Sequence, residues 1–265
     1  MNTLQACVAV ITGASSGLGA EFARQLAPRA KTLILAARRL DRLEELRKQL
    51  ARPGLTIHLH QVDLADRGAL EGFVQKLAAG DERVTLLINN AGLGDHGFIE
   101  NSDWSRVAPM LDVNIYALTR LTRALLPDIL AARGGVLNVS SVASLLPLPK
   151  LGIYAATKAY VTSFSEALRA ELRGTGVSVV ALCPGPVSTE FFDIAQRQGD
   201  TDPSPAPPIL KIPARDVVAA GLSAIVRDRA RIIPGWLPWL AMTLASRVPI
   251  SLLRPFITPP RPKSA

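Results

Sequence analysis

Seven short β-like runs alternate with six helix-like stretches between residues 7 and 235, and this alternation constrains the chain more than any other feature. The runs are "CVAVIT" (7–12), "TLILAA" (32–37), "LTIHLHQV" (55–62), "VTLLINN" (84–90), "GGVLNVSS" (134–141) and "GVSVVALCPG" (176–185), with "ARIIPG" (230–235) as a short seventh. Most are continuously apolar, as strands buried on both faces are. Helical periodicity occupies about 17–28, 40–51, 66–79, 103–132, 152–174 and 214–227, and Leu40, Leu43, Leu46 and Leu50 fall on one face of the second of these. Strict β-α alternation implies a parallel sheet with helices on both faces. Right-handed crossovers make such a sheet doubly wound. No internal repeat appears, and no linker-like break precedes residue 195, so the expectation is a single α/β domain over 1–265.

Composition narrows the classes. Hydrophobic residues make up 48% of the 265, enough for a large core. The net charge of +8 is spread along the chain without a Lys/Arg block interleaved with aromatics, which argues against nucleic-acid binding. Cys7 and Cys183 both sit in apolar runs and read as buried thiols of a reducing, cytoplasmic compartment. No leader pattern and no apolar run of about 18 residues is visible. His58 and His60 share a strand face but lack a third ligand, so no metal is expected, and His96 is assigned no role.

Chemistry concentrates at the strand ends. The first strand runs into "TGASSGLG" (12–19), with Gly13, Gly17 and Gly19 between strand and helix. Glycine lets backbone turn tightly beside a diphosphate, and the helix N-terminus offers free N–H groups. Further on, "YAATK" places Tyr154 and Lys158 one helical turn apart. An ammonium beside a phenol favours the phenolate, so the pair is expected to tune Tyr154 for proton transfer near neutral pH. The second strand ends "LAARR": Ala37 stands where an acidic residue would hold a ribose 2′-OH, and Arg38 and Arg39 follow. Guanidinium suits a 2′-phosphate, which favours NADP over NAD.

The glycine spacing GxxxGxG, "NNAG" (89–92), Asn114, Ser141, Tyr154, Lys158 and "PGPVST" (184–189) together resemble the short-chain dehydrogenase/reductase family, in order, from residue 5 to about 190. The resemblance implies a Rossmann-like fold and a nicotinamide cofactor. It also implies a catalytic set of Asn114, Ser141, Tyr154 and Lys158, with Tyr154 exchanging a proton with a carbonyl or alcohol. Lys158 would bind the nicotinamide ribose, Ser141 hold the substrate oxygen, Ser140 steady the loop, and Asn114 support a water-mediated relay to the lysine. The implied cofactor contacts are Gly13, Ser15, Ser16, Gly17, Leu18, Gly19, Arg38, Arg39, Asp63, Leu64, Asn90, Ala91, Gly92, Tyr154, Lys158, Pro184, Gly185, Val187 and Thr189. Asn89 would reach the adenosine ribose and Asp63 the adenine. One departure touches the NADP reading: many NADP members carry a basic residue in the glycine loop, where this chain has Ala14, Ser15 and Ser16. Epimerase and dehydratase branches use another glycine spacing, and enoyl reductases separate the Tyr and Lys more widely.

Residues 190–213 break the β-α rhythm where the family has its substrate lid, and Phe191, Phe192 and Ile194 are expected to form an apolar wall. The implied substrate is an apolar carbonyl compound or alcohol, and the implied assembly is a homodimer or homotetramer. In the tail (236–265), Trp236, Trp239, Leu240, Leu244 and Val248 could line one side of a helix interrupted by Pro238. Arg247, Arg254, Arg261 and Lys263 add charge with no acidic side chain after Asp228. That face either packs over the cleft or a second subunit, or lies on an anionic membrane surface. Two non-enzymatic alternatives remain open here: a nucleotide sensor on the same fold, or a membrane-surface protein that ignores the site.

Overall fold

Strand β1 (Val8–Thr12) is buried along its whole length and pairs in parallel with β2 (Thr32–Ala37) on one side and β4 (Leu86–Asn89) on the other. Around it, β3 (Thr56–Gln61), β5 (Gly135–Val139), β6 (Ser178–Leu182) and β7 (Arg231–Ile232) complete a seven-stranded sheet in the order β3-β2-β1-β4-β5-β6-β7. Every described pairing is parallel. The computed structural model describes residues 4–187, 190–191, 195–196, 211–245 and 247–257.

Helices cover both faces because both faces are apolar. On one side, Phe22 and Leu26 of α1 (Gly17–Leu26), Leu43 and Leu46 of α2 (Leu40–Leu50), and Val217, Leu222 and Ile225 of a later helix, Ala214–Val226, form one buried cluster with the strands. On the other, α3 (Arg67–Ala78) contributes Leu70 and Phe73 to a second cluster. The long helix expected over 103–132 is α4 (Trp104–Leu111) and α5 (Leu118–Ala131), joined without a break by a π-helical segment, Asp112–Ala117. With α6 (Gly152–Glu171) they finish that second layer through Leu121, Ile129 and Leu168. The Ala214–Val226 helix is α7. Two further helices, α8 (Trp236–Ala245) and α9 (Ile250–Ile257), follow β7.

The chain winds from β1 outward to β3, then crosses back to β4 and continues to β7. Strand order therefore reverses between β1 and β4, and the loops at their carboxyl ends diverge to leave a crevice. The expected elements all appear, each within a few residues of its expected ends. The edge strand β3 is partly exposed, and His60 on it tilts against Phe73, with ring centroids 5.0 Å apart.

Candidate active site

The crevice is a cavity of about 480 Å³. The loop from β1 into α1 forms its floor. Gly13 (φ +65°) and Gly17 (φ +52°) both adopt the left-handed region that favours glycine. A methyl group at Gly13 would come within 2.9 Å of Ala91 Cα, so the loop and the segment after β4 lie in close contact. Gly19 faces inward instead: a methyl there would lie 2.2 Å from the Gly13 carbonyl oxygen. It packs the helix under the loop and does not line the cavity.

Asn90 locks this floor. Its amide donates to the Thr12 carbonyl at 2.9 Å and the Gly13 carbonyl at 3.3 Å, and the Thr12 hydroxyl accepts from the Asn90 and Ala91 N–H groups at 3.0 Å. Asn89 differs from expectation. It is buried, and its amide donates to Thr122 Oγ1 (2.9 Å) and Asn138 Oδ1 (2.8 Å) behind the sheet, so it does not reach the cavity. As the last residue of β4 it points to the helix layer, and only the next residues turn toward the crevice.

At the far end of β2, Ala37 and Arg38 line the cavity and Arg39 bends back over the glycine loop. Its Nη2 donates to Ser16 Oγ at 2.8 Å, its Nε and Nη2 lie 3.4 Å from Ser15 Oγ, and its Nη1 lies 3.4 Å from Glu190 Oε2. Asp63 and Leu64 border the same end, and Asp63 accepts from the Ala65 N–H at 3.0 Å. The cap of α3 is Asp66, which accepts from Gly68 and Ala69 N–H, so Asp63 is not needed for that task.

The opposite end holds the titratable pair. Tyr154 sits in the first turn of α6 and Lys158 one turn on, both lining the cavity. Lys158 is 3% exposed, and its Nζ donates to the Val139 carbonyl at 2.9 Å. Burial pushes its pKa down to about 8. Tyr154 departs from the tuning expected of it: burial pushes its pKa up to about 12, and the hydrogen bond from Ser141 only partly opposes this. The ammonium lies 5.8 Å from the phenol ring centroid and shares its desolvated setting, so burial outweighs any benefit of proximity.

Ser141 also accepts from the Ala143 N–H at 3.1 Å, which fixes it at the start of a short 3-10 turn, Val142–Leu145. The Ser140 hydroxyl donates to the Lys158 carbonyl at 2.8 Å, tying the segment after β5 to α6. Asn114 is buried within the π-helical segment and does not line the cavity. Its amide bonds both backbone groups of Leu93 and donates to Thr157 Oγ1, each at 2.9 Å, and Thr157 in turn donates to the Tyr154 carbonyl at 2.7 Å. A π-bulge widens the helix by one residue, giving room for an amide to turn inward, and such bulges collect at functional sites. Its one-turn irregularity has no signature in hydrophobic periodicity.

Pro184, Gly185 and Val187 border the cavity; Thr189, Phe192, Ile194 and most of the expected 190–213 lid lie outside the described residues. Phe191 stands at the expected wall, its ring centroid 5.6 Å from that of Tyr154. Leu93, Gly94, Val142, Leu148 and Leu151 complete an apolar lining that motif reading missed, since isolated loop leucines carry no pattern. Among the described residues no group of three metal-ligating side chains occurs.

The floor fits a dinucleotide on its own chemistry. Two left-handed glycines expose backbone at a helix N-terminus, and serine hydroxyls and a guanidinium flank it. A family model described as short chain dehydrogenase matches residues 7–199. A sulfoacetaldehyde reductase of Chromohalobacter salexigens is 38% identical over 202 residues, covering 74% of this chain and 78% of the relative. A short-chain dehydrogenase from Sphingobium yanoikuyae, solved in complex with NADPH, superposes with a TM-score of 0.79 at 29% identity, covering 98% of this chain and 99% of that one. A short chain dehydrogenase/reductase from Burkholderia phymatum, in complex with NAD, gives 0.80 at 27% identity over 100% of both chains. With the glycine floor, the Ser141–Tyr154–Lys158 cluster and these matches in hand, the chain belongs to the short-chain dehydrogenase/reductase family of oxidoreductases.

Proposed function

We propose that this protein is an NADP(H)-dependent oxidoreductase that interconverts an apolar carbonyl compound and its alcohol. The observation that carries the reading is the convergence of Ser141, Tyr154 and Lys158 on one end of a cavity whose other end holds Arg39 over the glycine loop. A nicotinamide cofactor bound in this cavity would supply or accept the hydride. Lys158 would hold its ribose, Gly13, Ser15, Ser16, Gly17 and Leu18 its diphosphate, and Arg38 and Arg39 its 2′-phosphate. Ser141 donates to the substrate oxygen and orients it toward Tyr154. Tyr154, held protonated by burial, passes its proton to a developing alkoxide, a stronger base than the phenolate that results. Lys158 keeps a positive charge next to that phenolate. Phe191, Leu148 and Leu151 exclude water and favour an apolar substrate.

Dissociation constants test the cofactor choice, and NADPH is expected to bind more tightly than NADH. Ala37→Asp with Arg39→Leu is expected to reverse that order, since a carboxylate at β2 would meet the 2′-phosphate. Tighter NADH binding by the unaltered protein would overturn the NADP reading. Cofactor oxidation with a panel of apolar ketones and aldehydes tests the reaction, and inactivity across the panel would favour a nucleotide sensor. The reading includes a cytoplasmic homodimer or homotetramer, for which light scattering is the check.

A second reading concerns the tail, and the exposure of α8 favours it. None of its described residues is buried, and Trp236 is 76% and Trp239 51% exposed. The side that could have packed over the cleft points outward. Pro238, Met242 and Ala245 form the half-buried side instead, with Pro238 near Gly185. No described helix is long and apolar enough to cross a membrane. An anionic lipid surface suits outward tryptophans beside Arg247 and Arg254, whereas a symmetric dimer through this patch would set like charges against each other. Full-length protein is expected to sediment with anionic vesicles at low salt and a 1–235 truncation is not. A self-association lost on truncation, without vesicle binding, would overturn it.

A further inference from the structure

Strand β2 lacks the carboxylate that would discourage a 2′-phosphate, yet a carboxylate reaches the same arginine from elsewhere in the chain. Glu190, 151 positions from Arg39, lies across the cavity mouth with its Oε2 3.4 Å from Arg39 Nη1. Both side chains are about half exposed, at 41% for Arg39 and 50% for Glu190. The same guanidinium is turned onto the glycine loop, with Nη2 donating to Ser16 Oγ at 2.8 Å and Nε 3.4 Å from Ser15 Oγ. All three guanidinium nitrogens thus face partners within the chain. A phosphate takes two parallel N–H groups from one edge of this planar fork. It can do so here only if an edge is released.

We propose that Glu190 is a specificity-determining residue: it holds Arg39 against a carboxylate and so limits the preference for the 2′-phosphorylated dinucleotide. The proposal rests on the reading of Arg39 as the 2′-phosphate ligand. The phosphate must exchange places with a carboxylate of like charge, whereas an unphosphorylated ribose leaves the ion pair intact. NADPH affinity is therefore reduced by the fraction of molecules in which the pair is closed, and NADH affinity is not. An exposed pair of this geometry holds its closed form by only a small factor, so the handicap is roughly two- to fivefold. A plain charge repulsion by Glu190 would instead act on both dinucleotides alike and would not depend on Arg39.

The experiment measures dissociation constants of NADPH and NADH, without substrate, for the unaltered protein, Glu190→Gln, Arg39→Leu and the double variant at low ionic strength. Glu190 is exposed, so its amide replacement leaves the packing undisturbed. Glu190→Gln is expected to tighten NADPH about two- to fivefold and leave NADH unchanged. In the Arg39→Leu background it is expected to change neither. The proposal is overturned if Glu190→Gln leaves NADPH affinity unchanged or weakens it, the latter marking the pair as a clasp over bound dinucleotide. It is equally overturned if both dinucleotides tighten alike, or if the gain persists without Arg39. If Arg39→Leu alone leaves NADPH affinity unchanged, the 2′-phosphate reading fails and the proposal falls with it. A loss with Arg39→Leu but no effect of Glu190→Gln sinks the proposal alone.

Discussion

Helix α6 hides polar side chains, and helix α8 displays apolar ones. The buried residues of α6 include Thr157, Lys158, Thr162 and Ser165, while α8 exposes Trp236, Trp239, Leu240 and Leu244. Hydropathy alone would assign these helices the other way round. What separates them is partnership. Each of those polar groups on α6 meets a donor or acceptor on β5, the segment that follows it, the π-helical segment or its own backbone, so burial leaves none orphaned. Helix α8 leans on the domain through one narrow side, and its remaining apolar surface has no described cover. A group's burial follows from the partners that the fold brings to it as much as from its own polarity.

The sharpest way to break this contrast is to remove the buried acid. Tyr154→Phe is expected to lower turnover at least a hundredfold with cofactor affinity unchanged, as for loss of a positioned proton donor. Steady-state rates on the best substrate, with NADPH titrations, check this; retention of more than about a tenth of the rate would assign the proton to another group. The next effect tests the floor beneath it. Gly19→Ala forces a methyl into the Gly13 carbonyl, and should cost about 2 kcal/mol and weaken cofactor binding at least tenfold. Denaturant titration and dinucleotide binding read the two losses separately.

A smaller effect sharpens the role of the buried ammonium. Lys158 titrates near 8 when folded, against 10.5 for the free side chain. Between those values the unfolded chain holds more protons, so stability rises with pH across that window. Below it the cost of burying the charge is fully present. Relative to Lys158→Met, the cofactor-free protein is expected to gain on the order of 2 kcal/mol between pH 7.5 and 10. Tyr154, raised to about 12, acts in the opposite sense above pH 10. Denaturation midpoints that move in parallel for both proteins would show that the lysine is not desolvated. The smallest effect belongs to the tail: Trp236→Ser with Trp239→Ser should change unfolding free energy by less than about 0.5 kcal/mol, because both side chains already face outward. A larger loss would mean that these tryptophans are covered in solution.

Much of the molecule was legible before any fold was known. Parallel strands buried on both faces need continuous apolar runs, and βα turns that approach a diphosphate need glycine, so the β-α order, the glycine floor and the Tyr154/Lys158 turn can be read from local pattern. Contacts that span the chain cannot. The inward turn of Asn89 depends on pleat and register at the end of β4. The seat of Asn114 depends on a π-bulge, and the meeting of Arg39 with Glu190 joins residues 151 positions apart. The upward shift of Tyr154 is beyond local pattern for the same reason. Helical spacing places an ammonium near the phenol, but only the packed cavity decides how far both are desolvated, and desolvation outweighs proximity here. The sequence by itself determined which groups could act, because residue type and local spacing are properties of short segments. The tertiary structure alone decided which of them share one cavity and with what charge, because solvent exclusion and long-range pairing exist only once the layers close.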